Sequence, residues 1–152
     1  MLSLCVLGVA ISTASARNYL YLSEVINETN KPLTIMIKTG GEFGGDVYAF
    51  DVAANSHYEV KAGVDIADVT NARQYTRVID RSETESSKYK VSPEVEFTTQ
   101  WREGFAAIGN NYHITQRNES YGKFMVPIFR ETAYAKLIVN HRDGEFVYTW
   151  RP

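Results

Sequence analysis

Short alternations of apolar and polar residues, broken by turn-forming clusters, run the length of this chain. Leu33, Ile35 and Ile37 alternate with Thr34, Met36 and Lys38. A period of two sends successive side chains to opposite faces of an extended strand, whereas a helix needs apolar residues three or four apart. The preceding run, residues 19–26, puts Leu20, Leu22 and Ile26 on one face and Tyr19, Tyr21 and Val25 on the other. Between the two runs lies Asn27-Glu28-Thr29-Asn30-Lys31-Pro32, a turn cluster that closes on proline.

The same grammar continues. Tyr48, Phe50 and Val52 share one face of a strand over 47–52. Residues 57–62 turn Tyr58 and Val60 inward and His57, Glu59 and Lys61 outward, and Gly63 ends the run. Residues 64–69 read as a short strand or as irregular chain, and 74–79 as a strand. Residues 81–88 lack large apolar side chains and read as a loop. Tyr89, Val91, Pro93, Val95 and Phe97 occupy every second position, and Pro93 demands a sheet edge or a bulge. Residues 105–116 read as a hairpin turning at Gly109-Asn110, with Phe105 opposite Ile114 and Ala107 opposite Tyr112. Phe124, Val126 and Ile128 form a further strand face.

The last hairpin carries the sharpest signal. Asp143-Gly144 suits a type I′ turn, whose two central residues both take positive φ. It sets Arg142 opposite Glu145, and His141, Val139 and Leu137 opposite Phe146, Tyr148 and Trp150. Only residues 100–108 and 129–137 leave room for a helical turn. About ten short strands predict an all-β, single-domain antiparallel β-sandwich, jelly-roll or Greek-key-like, with a barrel as the alternative and little helix.

Residues 1–16 contain no charged side chain and end in Ala14-Ser15-Ala16. An apolar run followed by an A-x-A pattern is a secretory signal peptide, and this one is too short to span a bilayer. Residues 17–152 then form the domain, and the location is extracellular. The single cysteine, Cys5, lies in the leader. The domain is therefore disulfide-free, and cysteine nucleophiles and Cys-ligated metals fall away. A net charge of −2 offers no basic excess for nucleic acid.

Two N-x-S/T sequons, at Asn27 and Asn118, are candidate glycosylation sites. His57, His113 and His141 show no metal-ligand spacing, and Asp46, Asp51, Asp65 and Asp68 do not form a calcium loop. No catalytic motif is present and no cofactor is implied. Glu94 and Glu96 would lie about 7 Å apart on one strand, the single hint of paired carboxylates. Arg73, Tyr75 and Arg77 would share a strand face that could meet an anionic ligand, or could serve as a charged strand edge. Phe43, in a loop holding Gly40, Gly41, Gly44 and Gly45, and the pair Trp101 and Arg102 are further candidate ligand-binding residues.

These features predict a secreted, non-enzymatic binding protein that takes a carbohydrate or glycoconjugate through loops at one end of the sandwich. A partner protein, secreted or on a cell surface, is the other candidate ligand. The alternatives are a membrane-active or pore-forming protein, and a small hydrolase using two buried carboxylates that converge in a cleft.

Overall fold

A computed structural model describes residues 19–40, 45–68, 73–102, 105–109, 124–127 and 132–152, with backbone alone for 62–68, 100–107, 124–127 and 132. Residues 1–16, Phe43, Asn118 and the side chains of Trp101 and Arg102 lie outside the described residues. Eleven strands follow in order: β1 (Tyr19–Asn27), β2 (Leu33–Thr39), β3 (Val47–Val52), β4 (Ser56–Asp68), β5 (Arg73–Asp80), β6 (Lys90–Val91), β7 (Val95–Arg102), β8 (Phe105–Gly109), β9 (Phe124–Pro127), β10 (Thr132–Arg142) and β11 (Glu145–Arg151). One 3₁₀ turn, Ser86–Lys88, interrupts the loop between β5 and β6.

The strands form an all-β sandwich of two packed sheets. The smaller has the order β11-β10-β1-β4, and the larger β3-β2-β5-β7-β8-β9, with β6 extending the β7 side of β5. Pairing is antiparallel except between β1 and β10, which run parallel. The parallel pair brings the first and last parts of the described chain together at the middle of the smaller sheet.

Alternation explains the interior. Leu33, Ile35 and Ile37 of β2 are fully buried, and they face Leu20, Leu22, Leu137 and Val139 in one core cluster. Phe97 of β7 crosses that interior and meets Tyr148 and Trp150 of β11 edge-on, with centroids 6.2 and 5.7 Å away. Each such side chain gains roughly 1.5–3 kcal/mol from leaving water.

Three local expectations are corrected. In β1 the inward series is Leu20, Leu22, Val25, not Leu20, Leu22, Ile26, because an irregularity between Leu22 and Glu24 shifts the register against both neighbours. A bulge reverses the phase of every side chain beyond it. In β4 the strand runs on through Gly63: Leu22 pairs with Val64 and Glu24 with Glu59, so β4 holds extra residues there and Gly63 sits in a bulge rather than at an end. Tyr58 does face inward, opposite buried Val25 and against Phe50 of the other sheet at 5.6 Å, but at the sheet edge it stays 48% exposed. Finally, Phe105 opposes Arg102 on one side and Pro127 on the other. β7 and β9 therefore occupy both edges of β8, and the second limb of the expected hairpin, residues 110–116, lies outside the described residues.

Candidate functional site

The site begins with Pro93. It has no N–H to give to a ladder, and it falls where the chain steps out of register. Val91 pairs with Ile79 and Val95 with Thr76, so the β6–β7 side carries one residue more than β5. Ser92 repairs the gap. Its N–H donates to Val78 O at 2.9 Å, and its hydroxyl accepts from Val78 N at 2.9 Å. The same hydroxyl lies 3.3 Å from Tyr148 Oη on the opposite sheet.

The β10–β11 hairpin forms the facing wall. Its register is the one that Asp143-Gly144 demands, from Arg142–Glu145 through Leu137–Trp150. Asp143 and Gly144 have φ of 49° and 80°. The cross-strand pair His141 and Phe146 packs ring on ring at 4.7 Å.

The third wall comes from the β1–β2 turn. Asn27 is buried beneath it. Its Nδ2 donates to Lys31 O (2.8 Å), Val52 O (3.2 Å) and Ala53 O (3.1 Å), and its Oδ1 accepts from Thr29. This turn holds Lys31 where its ammonium meets Asp80 Oδ2 at 3.3 Å. Partial burial of Asp80 pushes its pKa up, but the hydroxyl and N–H of Ser82 and the Lys31 ammonium outweigh that and hold the carboxyl below its usual value.

Between these walls lies a cleft of about 560 Å³, lined by Lys31, Asp80, Ser92, Pro93, Phe146 and Tyr148. Lys90, Glu94, His141 and Glu145 add charge and hydrogen-bonding capacity around it, and Val91 and Val95 add apolar surface. Glu94 and Glu145 are exposed and Asp80 is half-buried. A cleft of a few hundred Å³ with an aromatic surface and a few convergent polar groups is the usual form of a small-ligand site. Sequence alone did not bring these residues together, because they come from four separate parts of the chain. Pro93 was the one local signal.

Of the predicted ligand-binding residues, Arg73, Tyr75 and Arg77 do not line this cleft. Arg73, Tyr75 and Arg77 do share the outward face of β5, with Gln74, Thr76 and Val78 buried on the other side. β5 is an interior strand, flanked by β2 and β7, so these arginines guard no sheet edge. Glu94 and Glu96 are not neighbours on one strand: Glu94 lies in the bulge and lines the cleft, and Glu96 is opposite Tyr75 on β7. His57 is exposed and 3.5 Å from Glu24 Oε2, whose other oxygen is 3.5 Å from Lys136 Nζ. Among the described residues no three His, Cys, Asp or Glu side chains gather into a set that could hold a metal ion. No protein-family model matches the chain, and no curated protein is similar to it.

Proposed function

We propose that this is an extracellular, non-catalytic binding protein whose ligand is a short carbohydrate or the glycan of a glycoconjugate, held in the cleft beside Pro93. The observation that carries the reading is the combination in one cleft of Phe146, an ionised Asp80 and the Ser92–Tyr148 hydroxyl pair. A sugar offers C–H surface to the first and hydroxyls to the others. The mixed charge of the lining, Lys31, Lys90, Asp80, Glu94 and Glu145, suits a neutral ligand with many hydroxyls better than a single strong ion.

Glycan-array screening followed by calorimetry tests it. Binding is expected, and Phe146→Ala and Glu94→Gln should each weaken it about tenfold, a loss of about 1.4 kcal/mol. Glu94 is exposed, so its variant keeps the fold even if Phe146→Ala does not. Failure to bind any glycan, or binding that ignores both substitutions, overturns the reading.

A second reading has one observation in its favour. Tyr19, Tyr21 and Tyr134 stack on the outward face of the smaller sheet, with centroids 6.2 and 5.8 Å apart, and Tyr134 is 55% exposed. Tyrosine is favoured at membrane–water interfaces. Sedimentation with vesicles, lost on Tyr134→Ser, would support a membrane-surface protein; no sedimentation removes it.

A further inference from the structure

Away from the cleft, the outward face of the larger sheet carries a basic strip. Arg73 and Arg77 are exposed on β5, about 13 Å apart along the strand, with Tyr75 midway. Lys38 of β2 pairs with Tyr75 across the ladder, and its ammonium lies over the Tyr75 ring at 5.6 Å from the centroid. Met36 stands opposite Arg77 on the same face. None of these three cations makes an ion pair among the described residues, although Lys31, Arg81, Lys88 and Lys136 all do. Glu96 borders the strip on the β7 side, where it opposes Tyr75.

We infer that this strip binds a linear acidic polysaccharide, one whose sulfate or carboxylate groups meet Arg73, Lys38 and Arg77 in turn while its ring faces lie on Tyr75 and Met36. Charge complementarity selects an anion. The backbone of β5 is already paired with both β2 and β7, so a peptide cannot add itself as a strand, and recognition falls to side chains. Three cations are too few for a nucleic-acid surface, where 6–10 phosphate contacts are common. The large apolar side chains exposed beside the strip among the described residues are two separate valines, Val47 opposite Lys38 and Val91 opposite Ile79, which do not form a patch that would enter a bilayer.

The site is separate from the cleft and is tested separately. The full chain is applied to immobilised dextran sulfate, neutral dextran and vesicles containing phosphatidylserine at low ionic strength. Retention on dextran sulfate alone is expected, eluted by salt, since exposed charges are screened within about 8 Å at physiological ionic strength. Arg73→Gln with Arg77→Gln should weaken it at least about tenfold. Lys88→Gln, which lies off the strip, should leave it unchanged. No retention on dextran sulfate, equal retention of the double variant with an unchanged melting temperature, or retention on vesicles alone overturns the proposal. So does equal retention on neutral dextran.

Discussion

The side-chain carbonyl of Asn27 accepts two hydrogen bonds from one residue: from the N–H of Thr29 at 3.0 Å and from its hydroxyl at 2.7 Å. The asparagine and threonine of the first sequon are thus spent on each other, and the remaining amide hydrogens of Asn27 tie the β1–β2 turn to the end of β3. A glycan on Nδ2 would have to leave this buried position. Peptide mass spectrometry of the folded protein should find Asn27 unmodified. Asn27→Ala should cost on the order of 3 kcal/mol in chemical denaturation, since several buried acceptors lose their donor together.

Asp80 gives a pH-dependent prediction. Its carboxyl is held below the ordinary value in the folded protein by Ser82 and Lys31, against the opposing effect of burial. A depressed acid stabilises the fold above its unfolded pKa of about 3.9, and that contribution disappears as pH falls through the lower folded value. Asp80→Asn should therefore be less stable than wild type at pH 6–7. The gap should close as the pH drops from about 4 towards 2, as urea titrations across that range will show.

Two glycines should respond differently to alanine. At Gly144 nothing lies within 4 Å of an added Cβ, but φ is 80°, so Gly144→Ala costs only backbone strain, about 1–2 kcal/mol. At Gly45 an added Cβ would overlap the carbonyl of Thr39, whose N–H and hydroxyl both engage Asp46. Gly45→Ala should force the β2–β3 connection apart and lower the melting temperature more than Gly144→Ala does.

Phe97 should report on the interior. It contacts both Tyr148 and Trp150, one of only two tryptophans in the chain. Phe97→Ala should cost about 3–5 kcal/mol and change the fluorescence of Trp150. Phe97→Leu, which keeps most of the volume, should lose much less.

Legibility in the sequence followed the range of the determining interaction. The β10–β11 register was readable because Asp143-Gly144 fixes it within two residues, and the bulge at Pro93 because proline lacks a donor. The phase of β1 was not readable. Its reversal between Leu22 and Glu24 depends on pairing with β4 and β10, which no local pattern encodes. Residues 105–108 failed for the same reason: a nearby turn suggested one partner, but two other strands took both edges. The cleft was least legible, since Lys31, Asp80, Ser92 and Phe146 meet only after both sheets have closed.

The parallel alignment of β1 with β10 has a consequence for biosynthesis. Ser23 Oγ donates to Ala135 O, a residue 112 positions later. A polypeptide leaving the ribosome cannot complete its smaller layer until β10, more than a hundred residues after β1, has been made, and β1 meanwhile keeps one edge unsatisfied. Contacts of such long range make folding slow. Until the β10–β11 hairpin arrives and seals it, that open edge is a template on which a neighbouring chain can pair.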